Sequence, residues 1–163
     1  YLLKPIVDNR TVKDGKSLVS SRIGLTSDCI EFDKNQNFIE FCNENDIIHD
    51  KNVIIIDECQ FLTKNQVNDL KDVSLKIPVL CYGLLTNYKT ELFEGSKRLV
   101  EIADSIMEIK SICRCGRKAT VNARLLDGDI VTTGEEIAIG GDEQYESMCY
   151  SCYSKKLKAQ NKK

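Results

Sequence analysis

The chain has 163 residues, enough for one domain with a small satellite and for a hydrophobic core of ordinary size. Its 23 basic and 25 acidic residues give a formal net charge of −2, which argues against binding driven mainly by nucleic-acid phosphates. Hydrophobic residues make up 42% of the sequence, and no apolar run is long enough to span a bilayer. Disordered and integral membrane proteins are thereby excluded. No signal-peptide pattern opens the chain, so we expect a cytoplasmic protein with reduced thiols.

Residues 1–110 alternate short apolar runs with amphipathic stretches, which predicts an α/β domain with a parallel sheet. The β-branched run at 53–56 predicts a buried parallel strand, and residues 79–82 predict a second one. Thr63 and Gln66 have the spacing of a capping box and predict a helix start between these strands.

A further helix is predicted over residues 96–103, with Leu99, Val100 and Ala103 facing inward. Residues 105–109 are mostly apolar and predict a third buried strand. The sequence pattern changes at Ser111, so we expect the first domain to end near residue 110.

Residues 111–155 predict a small second domain. Val121, Ala123 and Leu125 alternate with polar neighbours as in a half-buried strand, and the Asp127–Gly128 pair predicts a hairpin turn. Residues 156–163 form a lysine-rich tail, whose simplest interpretation is a solvated, fraying helix.

Four of the eight cysteines lie in two close pairs: Cys113 with Cys115, and Cys149 with Cys152. Two such pairs supply the four soft ligands of a tetrahedral zinc ion. Closing the loop between the pairs costs about 3 kcal/mol, whereas structural zinc returns roughly 10–16 kcal/mol. Four cysteine ligands would make a closed, structural site. Free thiols or two disulfides are the alternatives.

Two carboxylates, Asp57 and Glu58, follow the predicted strand at 53–56. Ligands gather at the carboxyl ends of parallel strands, and an apolar strand followed by Asp is the pattern that positions Mg²⁺ on a nucleotide. Acidic residues at this place can equally be helix caps or solvated loop residues. The sequence Gly15-Lys16-Ser17 predicts a surface turn and not a phosphate loop, because Arg10 stands where the first glycine of that motif belongs.

Several motifs occur together in one order: DECQF at 57–61, YGL at 82–84, ELF at 91–93, IGG at 139–141 with Tyr145, and the two cysteine pairs. In this combination the chain resembles the type II, zinc-containing, cellular-type thymidine kinases of bacteria. The resemblance implies a P-loop-NTPase-like parallel sheet with helices, and a small zinc-ribbon-like domain carrying a lasso loop. That family has a phosphate loop before the segment that begins here, so the resemblance implies an upstream segment beyond these residues.

The resemblance implies transfer of the ATP γ-phosphoryl group to the 5′-hydroxyl of thymidine, and of deoxyuridine as a second substrate. Glu58 would be the general base and Asp57 would organise Mg²⁺. The implied ATP and Mg²⁺ contacts are Asp57, Glu58, Cys59, Gln60, Asp8, Asn9 and Arg10.

For thymidine, the resemblance implies a stacking pocket and a loop whose backbone binds the base edge. The implied residues are Phe61, Leu84, Tyr88, Phe93, Tyr145 and the lasso residues Glu136, Ile137, Ala138, Ile139 and Gly140. The aromatic residues can also be interpreted as ordinary core. Beyond substrates and structural Zn²⁺, the resemblance implies inhibition by dTTP and a homotetramer, with no membrane or nucleic-acid partner.

Three alternatives stay open at this point. The DECQ sequence at 57–60 also resembles the D-E-x-x box of a helicase-type NTPase. The cysteine pairs also fit a non-catalytic zinc ribbon that binds nucleosides or nucleic acid, although the net charge weighs against the latter. A relative of the kinases that only binds nucleoside is the third alternative.

Overall fold

A computed structural model describes residues 1–7, 12–13, 16–21, 23–134 and 145–161. The chain folds into two compact units. The sheet unit comprises Tyr1–Leu85 and Phe93–Asp104, and the cysteine unit comprises Thr86–Leu92 and Ser105–Lys163.

The sheet unit is an α/β structure. Its described strands are β1 (Leu2–Pro5), β2 (Val12–Lys13), β3 (Lys16–Ser20), β4 (Thr26–Asp28), β5 (Ile30–Phe32), β6 (Ile54–Ile56) and β7 (Val79–Cys81). Its described helices are α1 (Phe38–Glu44), α2 (Lys64–Ser74) and α3 (Glu94–Ile102), with a 3₁₀ turn at Cys59–Phe61. Four strands form a parallel sheet in the order β5-β1-β6-β7. The predicted fold class is therefore confirmed, as are the strands predicted at 53–56 and 79–82.

Strand β6 lies inside this sheet, between β1 and β7. Ile56 pairs with Leu3 on one side, and Ile54 pairs with Val79 on the other. Ile54 and Ile56 are fully buried, which explains why the strand is an unbroken run of β-branched residues.

Helix α2 begins as the sequence predicts. The Thr63 side chain accepts a hydrogen bond from the Gln66 backbone, and the Gln66 side chain accepts one from the Thr63 backbone. The apolar stripe of α2 is buried in the core and consists of Val67, Leu70 and Val73.

Helix α3 differs in part from the prediction. Leu99 packs against the core as predicted, and Ile102 also packs against the core. Val100 is 47% exposed and Ala103 is also exposed, so their predicted inward orientation was wrong. The helix ends at Ile102, and Ala103 has extended backbone angles. The side chain of Ala103 therefore does not point in the direction that the helical period predicts.

The strand predicted at residues 105–109 was also wrong. The structure has no strand there, and Ile106, Met107 and Ile109 are exposed. An apolar run becomes a buried strand only when a neighbouring strand pairs with it, and none of the described strands pairs with this segment.

A second, antiparallel sheet in the sheet unit has the order β2-β3-β4. Lys16 and Ser17 begin β3 and pair with Lys13 and Val12, whereas Gly15 lies outside the described residues. The fully buried Lys4 of β1 donates a hydrogen bond from Nζ to the Leu18 carbonyl at 3.1 Å.

The cysteine unit has the strands β8 (Ser111–Ile112), β9 (Lys118–Ala119), β10 (Val121–Leu126), β11 (Asp129–Ile130) and β12 (Tyr145–Met148), and the helix α4 (Tyr150–Gln160). Strands β11-β10-β12 form an antiparallel sheet, and β8 and β9 form a hairpin. Val121 and Ala123 are buried, as the alternation in β10 predicts.

The turn between β10 and β11 is the predicted two-residue hairpin turn. Leu126 pairs with Asp129, and the two central residues have left-handed backbone angles, with φ 50° at Asp127 and 84° at Gly128. This is the type I′ geometry that Asp-Gly pairs favour.

Residues 156–160 of the predicted lysine-rich tail form the second half of α4. Leu157 packs against the core of the cysteine unit, and the Gln160 carboxamide makes two 2.8 Å hydrogen bonds to the backbone of Ile130. Among the helices of the described ranges, none is long and apolar enough to cross a membrane.

Candidate active site and metal centre

The two cysteine pairs converge in the cysteine unit. The Sγ atoms of Cys113, Cys115, Cys149 and Cys152 all lie within 4.8 Å of one another. Those of Cys115 and Cys149 are 3.6 Å apart, close to the separation of about 3.8 Å expected between thiolates on one tetrahedral zinc ion. The four residues can hold a metal ion, and their donor set fits zinc.

Local backbone structure places these sulfur atoms. The Cys113 N–H donates to the Arg117 carbonyl and the Gly116 N–H donates to the Cys113 carbonyl, each at 2.8 Å. Gly116 has φ 83°, a left-handed conformation that glycine adopts without strain. Cys149 caps helix α4 and Cys152 lies in its first turn, so a turn and a helix start present the two pairs.

Two of the four thiols have a lowered pKa, which suits metal binding. Backbone N–H groups lower the pKa of Cys113 and bring the pKa of Cys115 to about 6. Hydrogen bonding with Cys115 and the other cysteines raises the pKa of Cys152 to about 12. The thiolate form, in which cysteine binds a metal, is thus favoured at Cys113 and Cys115, whereas the neighbouring thiols favour the protonated form of Cys152.

The acidic pair lies at the carboxyl end of β6 in the sheet unit. The Asp57 N–H donates to the Leu3 carbonyl at 2.9 Å, and its Oδ1 accepts a hydrogen bond from the Glu58 N–H at 3.0 Å. Glu58 has φ 51° and ψ 40°, a left-handed conformation that non-glycine residues rarely adopt. Such strain persists only where surrounding contacts enforce it, and it is concentrated at functional sites.

Gln60 is buried in the 3₁₀ turn that follows. Its Nε2 donates to Glu58 Oε2, and its Oε1 accepts a hydrogen bond from the Leu84 N–H at 3.0 Å. Its predicted contact with a nucleotide stays a prediction. The bond to Leu84 has no signal in the local sequence, because it joins residues from two different strand ends.

Cys59, the neighbour of Gln60, is a packed thiol. Burial raises the pKa of Cys59 to about 12, and burial raises that of Cys81 to about 11. Because a thiol with so high a pKa stays protonated, we assign Cys59 no reactive role. Its predicted place beside the nucleotide stays a prediction.

Three of the predicted pocket residues lie in the sheet unit. The rings of Phe61 and Phe93 meet edge to face with centroids 5.8 Å apart. Leu84 is exposed, and its carbonyl accepts a 2.6 Å hydrogen bond from Ser96 Oγ. This corner therefore combines an aromatic pair with an accessible apolar side chain.

Tyr88 and Tyr145 lie in the cysteine unit. Tyr88 is 2% exposed, and its hydroxyl has no hydrogen-bond partner within the described ranges. The charged groups of Lys89 and Arg124 each lie 5.6 Å from the centre of its ring. Tyr145 pairs with Arg124 across the sheet.

Two predicted segments fall outside the described residues. They are the implied phosphate-contacting residues Asp8, Asn9 and Arg10, and the lasso residues Glu136, Ile137, Ala138, Ile139 and Gly140. Their roles stay predictions.

Comparison with known proteins gives consistent matches. The family model for thymidine kinase matches residues 1–153. The chain is 41% identical over 151 residues to the thymidine kinase of Rhodopirellula baltica, covering 91% of this chain and 70% of that protein. It is 46% identical over 138 residues to that of Shewanella oneidensis, covering 83% and 72%, and 42% identical over 160 residues to that of Aliivibrio fischeri, covering 95% and 83%. The chain therefore belongs to the thymidine kinase family.

Proposed function

We propose that this protein transfers the γ-phosphoryl group of ATP to the 5′-hydroxyl of thymidine, and also to that of deoxyuridine. The observation that carries the proposal is the position of Asp57 and Glu58 at the carboxyl end of an inner parallel strand, in a chain of the thymidine kinase family. Membership of that family disfavours the helicase-type alternative.

Glu58 is the proposed general base. The 5′-oxygen forms a bond to the γ-phosphorus, the bond from that phosphorus to the ADP oxygen breaks, and the hydroxyl proton passes to the Glu58 carboxylate. Catalysis of this step depends mainly on positioning and charge stabilisation. The half-buried position of Glu58 and its enforced left-handed backbone support the assignment.

Asp57 is the proposed Mg²⁺ residue, binding the ion directly or through water. A carboxylate at the end of a parallel strand is a suitable donor, and Mg²⁺ would neutralise phosphate charge in the complex. Asp8, Asn9 and Arg10 are proposed to lie near the phosphates, with Cys59 and Gln60 near the nucleotide.

Thymidine contacts are proposed for residues of each unit. Phe61, Leu84 and Phe93 supply apolar surface from the sheet unit, and the edge-to-face ring pair with the exposed Leu84 supports this role. Tyr88, Tyr145 and the lasso residues 136–140 supply contacts from the cysteine unit. The buried Tyr88 hydroxyl, which has no hydrogen-bond partner among the described residues, supports a polar contact there, because an unpaired buried hydroxyl is costly.

The metal is proposed to be one structural Zn²⁺ per chain. All four ligands would be cysteines, so no coordination position would remain for substrate. Because residues 136–140 lie between the two cysteine pairs in the sequence, zinc would fix both ends of the lasso.

Three expectations from the family resemblance complete the proposal. We propose that the protein is cytoplasmic, that it forms a homotetramer and that dTTP inhibits it. Light scattering of the purified protein and thymidine phosphorylation with added dTTP test the last two.

The first experiment is Glu58→Gln, made in the protein expressed from its complete gene. We expect kcat for thymidine phosphorylation to fall about 10²- to 10⁴-fold, because the amide cannot accept the hydroxyl proton. Thymidine affinity, measured by calorimetry, should change less than about twofold, because the side chain keeps its shape.

Glu44→Gln is the matched control, since Glu44 is an exposed carboxylate at the end of α1. It should leave kcat unchanged. Undiminished kcat in Glu58→Gln would remove Glu58 as the base. ATP consumption stimulated by single-stranded DNA instead of thymidine would support the helicase alternative.

A further inference from the structure

The Gln60 side chain connects the Glu58 carboxylate to the backbone of a second strand end. Gln60 is only 3% exposed, and both ends of its carboxamide are engaged. Nε2 donates to Glu58 Oε2, and Oε1 accepts the Leu84 N–H at 3.0 Å. A buried amide with this pair of partners cannot rotate without losing a hydrogen bond.

Close backbone packing enforces the position of Gln60. A Cβ atom on Gly83 would lie 2.4 Å from Gln60 Oε1, so no larger residue fits beside the carboxamide as it stands. On α3, a Cβ atom on Gly95 would lie 2.6 Å from the Leu62 carbonyl oxygen and 3.0 Å from that of Gln60. Two glycines, one in the loop after β7 and one on α3, thus let the backbone pack closely against the turn that carries Gln60.

The Leu84 backbone is itself held by hydrogen bonds on both sides of its Cα atom. Its N–H donates to Gln60, and the Leu84 carbonyl accepts a 2.6 Å hydrogen bond from Ser96 Oγ, a buried residue of α3. The Cys59 N–H also donates to the Tyr82 carbonyl at 2.9 Å, which ties the turn to the end of β7. The Gln60 carboxamide therefore links Glu58 to a backbone segment that further hydrogen bonds hold in place.

We propose that Gln60 is a positioning residue for the Glu58 carboxylate, fixing one carboxylate oxygen and orienting the other toward the hydroxyl that it deprotonates. The inference rests on the proposed role of Glu58 as general base. It gives Gln60 a role different from contact with the nucleotide, because both polar ends of the side chain are used within the protein.

The test uses two substitutions at this position. Gln60→Met keeps the length of the side chain and removes both hydrogen bonds. Gln60→Glu keeps an acceptor for the Leu84 N–H and removes the donor to Glu58. We expect kcat to fall about 10- to 100-fold in each, because small misplacements of a catalytic group have effects of this size.

Two further readouts separate positioning from a merely structural role. The KM values for ATP and thymidine should stay within about twofold of the parent values. The acidic limb of the pH–rate profile should move to higher pH in both variants, because losing a hydrogen-bond donor disfavours the charged form of the carboxylate. The move should be larger in Gln60→Glu, because a second carboxylate then lies beside Glu58.

Gln66→Met is the matched control. Gln66 is also buried, at 2% exposure, and its Nε2 donates to the Asp33 and Gln36 carbonyls at 2.7 and 3.2 Å. This substitution should lower Tm while leaving the pH–rate profile unchanged.

The outcomes distinguish this inference from the proposed function. A rise in KM for ATP with unchanged kcat in both Gln60 variants would make Gln60 a nucleotide contact and overturn the inference. Parent kcat and pH profile in both Gln60 variants, with Glu58→Gln inactive, would overturn the inference alone. An active Glu58→Gln would overturn the role of Glu58 and the inference with it. If Gln60→Met does not fold, Gln60→Glu still decides through its pH profile.

Discussion

The two units of the molecule are organised around different cores. The sheet unit buries a continuous apolar cluster, which includes Leu3, Phe38, Ile47, Ile54, Ile56, Leu62 and Val67. The described core of the cysteine unit is smaller and includes two of the candidate metal ligands, Cys113 and Cys149. A unit this small buries only about 60% of the surface that its unfolded chain exposes, so its stability is marginal. The comparison indicates that burial stabilises one unit, whereas metal binding would stabilise the other.

The largest expected effect tests this contrast through Cys149→Ser. We expect loss of one zinc per chain and unfolding of the cysteine unit, because structural zinc contributes roughly 10–16 kcal/mol in small zinc domains. Metal analysis and hydrogen exchange should show loss of zinc and of protection in β10, with protection in β6 retained.

Cys29→Ser is the control for that experiment, since Cys29 is a half-buried cysteine of the sheet unit outside the cluster. It should keep the zinc. A parent protein without zinc, or a Cys149→Ser variant that retains protection in β10, would break the proposed contrast between the units.

A second effect, of intermediate size, concerns alkaline pH and the sheet unit. Burial raises the pKa of Cys59 to about 12 and that of Cys81 to about 11, from an ordinary value of 9.0. Above pH 9 the unfolded chain releases these protons while the folded chain keeps them. Stability should therefore be complete below pH 9 and fall as pH rises toward 11–12. The expected loss is about 1.4 kcal/mol per pH unit for each thiol.

Urea unfolding at pH 7 and pH 10 measures this loss. The double variant Cys59→Ala with Cys81→Ala is the comparison, because it removes both titrating groups and leaves other alkaline titrations in place. Its free energy of unfolding should depend less on pH than that of the parent. Equal pH dependence in the two proteins would contradict the burial of these thiols.

The smallest expected effect is that of Thr63→Ala at the start of α2. Removing the capping side chain should lower the free energy of unfolding by about 1 kcal/mol, because the Gln66 N–H loses its partner. Urea unfolding measures the change, and zinc content should stay the same. Thr132→Ala, at an exposed position of the cysteine unit, should have almost no effect. A loss of zinc in Thr63→Ala would show that the two units do not have separate sources of stability.

Features with a local cause could be predicted from the sequence. The β-branched run of β6, the capping box of α2 and the Asp127–Gly128 turn each depend on neighbouring residues, and each was confirmed. Each cysteine pair is likewise a short-range pattern, and the convergence of the two pairs could be predicted because one tetrahedral zinc ion needs four ligands.

Features that depend on distant partners could not be predicted. Residues 105–109 are apolar enough for a strand, but pairing decides whether a strand forms. Whether the Val100 side chain points inward depends on which face of α3 packs against the core. The hydrogen bond from Leu84 to Gln60 joins two strand ends, and only the fold brings them together. The roles of the predicted site residues stay predictions, and the experiments above test those of Glu58, Gln60 and Cys149.

The segment Thr86–Leu92 has a consequence for modularity. It belongs to the cysteine unit, yet residues of the sheet unit precede and follow it in the chain. The Phe93 N–H donates to the Leu85 carbonyl at 3.4 Å, so the excursion leaves and returns at one place. A single protease cut after Asp104 would leave Tyr88 attached to the wrong fragment, without the Arg124 that covers its ring. Recombination at one junction would likewise transfer only one of the two segments of the cysteine unit. We therefore expect the two units to be inherited together.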